Sequence, residues 1–193
     1  SYLNEQSLGE PEFTEELCIQ LCVDCGLSQL TRVVHPDRMF RHYLYVSSTT
    51  ETIRTHFAEF ARTMTAAAKA SPNDLALDIA SNDGCLLKAF QDAGLDVLGI
   101  DPATNLAEEA NAKGLRTWCD YWSQAVARRV AADIGRPKVV TAANVFAHAD
   151  GLQEFVSGVS ACLAPDGILA IECPYVVDFI EKSEFDTAYH EHV

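Results

Sequence analysis

The chain has 193 residues, 48% of them hydrophobic, with 14 Lys and Arg against 28 Asp and Glu for a formal charge of −14. That length and apolar content suffice for one substantial domain with a small appendage, and they exclude pervasive disorder. The acidic balance excludes a surface that wraps nucleic acid, while leaving room for a local site for a phosphorylated small molecule.

No run of about 18 apolar residues, signal peptide or lipidation box is apparent, so a cytoplasmic protein with no membrane partner is expected. Composition does not fix the oligomeric state. With no Met at Ser1 and a stop inside YHEHV, an incomplete chain is expected. Of the seven cysteines, Cys85, Cys119, Cys162 and Cys173 lie in apolar surroundings and read as small buried side chains in a reducing compartment.

Residues 1–45 are irregular, with scattered aromatics and a group of cysteines, and read as a separate small module. Within it CVDCGLSQL at Cys22–Leu30 has the C-x₂-C spacing of half a tetrahedral metal site, because the intervening turn brings both sulfurs to one side. Cys18 is a candidate third ligand if its stretch is helical, and His35 or His42 a fourth; the alternative is two thiols in a loop.

Residues 46–74 form a linking segment. Glu51–Ala70 reads as a helix capped by Thr49 or Thr50, with Ile53, Phe57, Phe60, Ala61 and Met64 as its apolar stripe, and SPND at Ser71–Asp74 as a turn.

Residues 75–193 alternate. Strands are expected at Leu75–Ala80, Leu95–Asp101, Leu115–Cys119, Lys138–Ala142 and Ile168–Cys173. Helices are expected at Cys85–Ala93, Thr104–Lys113, Tyr121–Ile134, Leu152–Leu163 and Tyr175–Lys182. Such alternation requires an α/β fold with a parallel central sheet, right-handed crossovers and helices on both faces.

Ligands of such sheets bind outside the carboxyl ends of the strands. Asp78, Ala80, Ser81, Asn82, Asp83 and Gly84 form the first strand-to-helix turn, and Asp101 with Pro102 ends the next strand. Only one position of this loop is glycine, and two acids flank it. A pyrophosphate needs close backbone approach and no nearby negative charge, so a dinucleotide fits less well than a cationic sulfonium. Asp101 would take ribose hydroxyls, Asp120 could accept from an adenine amino group, and Asn144 and His148 follow the fourth strand at the same edge.

ALDIASNDGCLL, GIDPATNLAEEA, AANVFAHADGLQEFV and LAPDGILAIECPYVVDFIEKSEFDTAYHEH together resemble the class I S-adenosylmethionine (SAM)-dependent methyltransferases. Within them the likeness is to the sugar C-methyltransferases that act on nucleoside-diphosphate 4-keto-deoxyhexoses, and it runs from about Cys22 to the last residue. The resemblance implies a Rossmann-like methyltransferase domain over residues 75–193 with its C-terminal part missing, preceded by a partial zinc-binding module. It makes Cys22 and Cys25 a structural zinc half-site whose missing pair lies upstream of Ser1.

It also implies His192 as general base with Glu191 and Tyr189 beside it, His148 as an active-site histidine, and Tyr43 as a tyrosine reaching the sugar. The implied partner is a small-molecule sugar nucleotide, as in deoxysugar biosynthesis. A ketone at C4 acidifies the C3 proton, and histidine is the side chain suited to remove it near neutrality. An O- or N-methyltransferase of small molecules, or a catalytically silent cofactor-binding protein, are the alternatives.

Overall fold

A computed structural model describes Gly9, Pro11, residues 13–16 and residues 18–183. Tyr189, Glu191 and His192 lie outside the described residues.

Where an irregular stretch was expected, two short strands, β1 (Ile19–Leu21) and β2 (Ser28–Leu30), pair antiparallel with Ile19 opposite Leu30. A short helix, α1 (Pro36–Phe40), follows, with Pro at its first turn and the His35 ring accepting from the Asp37 amide. Helix α2 (Glu51–Ala67) begins where the Thr50 hydroxyl accepts from the Ile53 amide at 3.3 Å.

The sheet is built from β3 (Leu75–Ile79), β4 (Asp96–Ile100), β5 (Thr117–Trp118), β6 (Val139–Ala143) and β7 (Ile168–Glu172), all parallel, in the order β5-β4-β3-β6-β7. Helices α3 (Cys85–Asp92), α4 (Thr104–Ala112), α5 (Gln124–Asp133) and α6 (Leu152–Cys162) connect the strands, and α7 (Val176–Glu181) follows β7. This is the Rossmann-like α/β arrangement expected from the alternating pattern. The chain order reverses between β3 and β6, which opens a crevice at their carboxyl ends.

Strand alternation divides the core. Leu77, Ile79, Leu98, Ile100, Val140 and Ala142 pack against Val126 and Val130 of α5 and Phe155 and Val159 of α6. On the opposite face Ala76 and Val139 meet Ala61 of α2 and Leu86 and Phe90 of α3. Such double burial is why the strands read as short apolar runs. Gly99 is required by packing: a Cβ there would lie 2.3 Å from Ser81 Oγ and 2.8 Å from Leu87.

Helix α5 starts later than its apolar pattern suggests. Ser123 Oγ accepts from the Val126 amide at 3.3 Å, so Tyr121 and Trp122 precede the helix. Of the cysteines expected to be buried, only Cys162 is; Cys85 is half-buried, and Cys119 and Cys173 are exposed because they stand at element ends beside loops.

Candidate functional site

A cavity of about 970 Å³ lies over the carboxyl ends of β3, β4, β6 and β7. Its lining includes Ala80, Asn82, Asp101, Pro102, Tyr121 and Trp122 together with Tyr43, Tyr45, His56, Asn144, His148 and Glu172.

The loop after β3 keeps the backbone of a glycine-rich turn without the glycines. Ala80, Asn82 and Gly84 all have positive φ, at 58°, 52° and 83°. L-residues pay a conformational cost for that region, which asparagine tolerates best. Asn82 uses its side chain to hold a neighbouring segment: Oδ1 accepts from the Ser47 amide at 2.9 Å and Nδ2 donates to the Tyr45 carbonyl at 3.0 Å. Asn105, at the start of α4, holds the same segment from the other side, accepting from the Tyr43 amide at 3.2 Å and donating to its carbonyl at 2.8 Å. Two amide side chains thus strap residues 43–47 along the cavity rim. The Tyr43 ring packs edge-on against Phe40 (5.9 Å) and Tyr45 (6.5 Å), and the His148 ring lies against Phe40 at 5.6 Å with its plane tilted by 60°.

Asp101 closes the loop from β4. Its carboxylate accepts from the Asn82 amide at 2.7 Å and the Ala103 amide at 2.8 Å. Burial raises its pKa, and those backbone donors oppose the rise. Each oxygen retains acceptor capacity, so a ribose diol at the cavity surface fits this acid.

Asp78 and Asp83 do not present their charges to the cavity. Asp78 is buried on the sheet and accepts from Thr141 Oγ1 at 2.6 Å; burial pushes its carboxyl up to about 7, partly countered by that bond and reinforced by Asp101. The side chain of Asp83 is turned under the loop to Lys113 Nζ at 3.0 Å. Ser81 is buried beneath the loop, and Gly84 faces Leu115, where a Cβ would meet Cδ1 at 2.5 Å. Asp120 faces Arg129 at 3.7 Å and accepts from the Tyr121 amide at 3.0 Å, leaving Tyr121 and Trp122 to form the cavity wall there. Burial, with the Tyr121 hydroxyl donating to Asp37 at 2.8 Å, raises the Tyr121 pKa and keeps the phenol neutral.

The cavity is nonetheless anionic. Asp101, Asp150, Glu154, Glu172 and Asp178 line it, and among the described residues neither Lys nor Arg does. A dinucleotide pyrophosphate finds no cation there, whereas a sulfonium with an ammonium tail is favoured. The donor set and loop backbone therefore fit SAM.

Sequence reasoning missed His56 and Glu172. The His56 Nε2 to Glu172 Oε2 distance is 2.6 Å, and Asn144 Nδ2 donates to Glu172 Oε1 at 2.9 Å. Asn144 adopts φ 54° as it leaves β6. The only advance signal was a polar ring inside an apolar helix stripe, which by itself is uninformative.

The hairpin sets Cys22 and Cys25 about one turn. Backbone and side-chain hydrogen bonds from Cys25, with the Asp24 amide, lower the Cys22 thiol pKa, as suits a metal thiolate. Cys18 precedes a strand and not a helical turn, and among the described residues no group of three or more His, Cys, Asp or Glu is placed to hold a metal. The wider ligand set with Cys18, His35 and His42 is thereby corrected to a two-thiol pair. No helix among the described residues is long and apolar enough to cross a membrane.

A family model described as a methyltransferase domain matches residues 77–169. Over 176 residues the chain is 36% identical to C-methyltransferase NovU of Streptomyces niveus, a match covering 91% of this chain and 42% of NovU. The chain therefore spans about two fifths of that relative's length. Among solved structures, the plantazolicin methyltransferase BpumL, in complex with a pentazolic desmethylPZN analog and SAH, superposes with a TM-score of 0.56 at 16% identity, covering 74% of this chain and 55% of BpumL. A SAM-dependent methyltransferase of Clostridium acetobutylicum ATCC 824 superposes with a TM-score of 0.53 at 16% identity, covering 67% of this chain and 54% of that one. At these identities the structural likeness concerns the fold.

Proposed function

We propose that the chain is the cofactor-binding part of a class I SAM-dependent methyltransferase and that the whole protein methylates a carbon of a sugar-nucleotide substrate, a reading supported by the methyltransferase-domain match and by the likeness to the C-methyltransferase NovU. The observation that carries the cofactor half of this reading is the cavity over β3 and β4, acid-lined, without Lys or Arg among its described lining, and closed by Asp101. The substrate half rests on the match to NovU and on the YHEH segment.

When bound, SAM supplies an electrophilic methyl group on a cationic sulfonium. Asp101 would hold its ribose hydroxyls, and the backbone at Ala80, Ser81 and Asn82 with Pro102 would border the nucleoside. Asn144 would edge the cofactor where β6 ends.

On the substrate side, the C4 ketone of a nucleoside-diphosphate 4-keto-deoxysugar acidifies the C3 proton. His192 would take that proton onto its imidazole, with Glu191 and Tyr189 as neighbouring site residues, leaving the C3–H electron pair as an enolate. The enolate is the carbon nucleophile for the methyl group that bound SAM would give up as its S–CH3 bond breaks and S-adenosylhomocysteine leaves. Tyr43 and His148, on the cavity wall, donate to the enolate oxygen as its charge develops.

Zinc has a separate role in this reading. Cys22 and Cys25 contribute two thiolates, and two further ligands would close a tetrahedral structural site.

The test of the mechanism is solvent exchange at C3. In the full-length protein His192→Asn should abolish both deuterium exchange at C3 and methyl transfer. Exchange at the wild-type rate in that variant would remove His192 from the role of base.

A further inference from the structure

The cavity holds a polar pair, His56 and Glu172, that the chemistry above does not use, and Asn144 of the cofactor edge is bonded to it. Glu172 ends β7, His56 lies on α2, and Asn144 follows β6, so three separate elements converge on one carboxylate. His56 Nε2 stands 2.6 Å from Oε2, Asn144 Nδ2 donates to Oε1 at 2.9 Å, and the Asn144 amide N–H donates to the Glu172 carbonyl at 2.7 Å. The His56 ring is steadied by Phe57 and Phe60, at centroid distances of 5.5 and 6.1 Å. All three polar side chains line the cavity.

This geometry fixes hydrogen-bonding roles. A carboxylate only accepts, so His56 donates from Nε2, and in the neutral ring Nδ1 carries the lone pair. Asn144 spends an N–H on Glu172, which leaves its Oδ1 as an acceptor. Each Glu172 oxygen has a second acceptor site. The corner therefore offers several oriented acceptors backed by a negative charge. It repels phosphate and suits a group rich in O–H donors.

We propose that His56 and Glu172, the latter held in place by Asn144, form the subsite for the sugar-ring hydroxyls of the substrate, with the diphosphate held away from it. This rests on the sugar-nucleotide reading above and adds where the ring is recognised. Glu172 positions His56 as well as accepting from the sugar.

The test uses full-length protein and three probes: the tightest-binding member of a set of nucleoside-diphosphate 4-keto-deoxysugars that carries each common base, the matching nucleoside diphosphate alone, and SAH. Glu172→Gln and His56→Phe should each weaken the ketodeoxysugar nucleotide about tenfold, the worth of a hydrogen bond or two. Affinities for the bare nucleoside diphosphate and SAH should stay within about twofold, the SAH result also showing that the variants fold. His56→Gln, which can still donate to Glu172, should retain more affinity than His56→Phe. Unchanged binding of the sugar nucleotide, an equal loss for the bare diphosphate, or a loss for SAH would overturn the subsite. A wild-type protein that does not bind the ketodeoxysugar nucleotide would instead overturn the sugar-nucleotide reading, and the subsite with it.

Discussion

Asn82 Oδ1 accepts the backbone amide of Ser47 at 2.9 Å, which ties the loop after the first sheet strand to the segment that carries Tyr43 and Tyr45. One residue thereby shapes the loop that borders the cavity and holds the adjoining rim segment. Its φ of 52° explains why asparagine stands where this fold often uses glycine: it accepts the left-handed backbone and adds an amide that reaches across.

Asn82→Gly and Asn82→Ala separate those two duties. Glycine adopts the left-handed backbone without strain, so the Gly variant should bind SAH nearly as wild type while KM for the substrate rises. Alanine loses the same side-chain bonds and adds strain of about 1 kcal/mol, so it should unfold at a lower temperature than the Gly variant. Equal melting temperatures for the two would contradict the role assigned to this φ.

Asp101→Asn should weaken SAH by about tenfold or more, measured by calorimetry. The carboxylate accepts from two backbone amides, at Asn82 and Ala103, and an amide nitrogen in place of either oxygen would set donor against donor. The variant should lose affinity through loop distortion as well as through a lost ribose contact. Wild-type affinity would remove Asp101 from the site.

Asp78 makes stability depend on pH. Its folded pKa, near 7, lies above the value of about 3.9 expected when unfolded, so the native state binds the extra proton between those values. The stabilisation is complete below about pH 4 and is lost as pH rises through 7, a span worth on the order of 4 kcal/mol. Asp78→Asn mimics the protonated acid and should flatten this slope in chemical denaturation at pH 5 and 8. A slope identical to wild type would show that Asp78 is not the group responsible.

Much of this architecture could be read from the residues. Short apolar runs such as VLGI and ILAI identify doubly covered strands because both faces are buried, and the turn at Asp78–Gly84 marks where the first of them meets a ligand edge. The hairpin at Ile19–Leu30 was illegible for a different reason: each strand is only three residues long, too short to establish a period, and Ile19 and Leu21 stay exposed. Charge direction was also hidden. Asp78 near the end of β3 and Asp83 in the following loop stand where ligand contact is suggested, yet Thr141 and Lys113 claim them from behind, and neither partner is close in sequence. His56 and Glu172 meet across 116 positions, and only the folded sheet brings them together.

For the N-terminal hairpin, zinc content is the relevant readout. Full-length protein should carry zinc, and Cys22→Ser or Cys25→Ser should deplete it while SAH binding persists, because neither cysteine lines the cavity. Full zinc occupancy in both variants would remove the pair from the metal site.

The identity of the atom that receives the methyl group tests the whole account most directly. Full-length protein is incubated with methyl-labelled SAM and the nucleoside-diphosphate 4-keto-deoxysugar it binds most tightly, and the product is read by NMR. The account predicts the label on the carbon next to the ketone, with the proton of that carbon lost to solvent. A label on oxygen or nitrogen, with that proton retained, would contradict it.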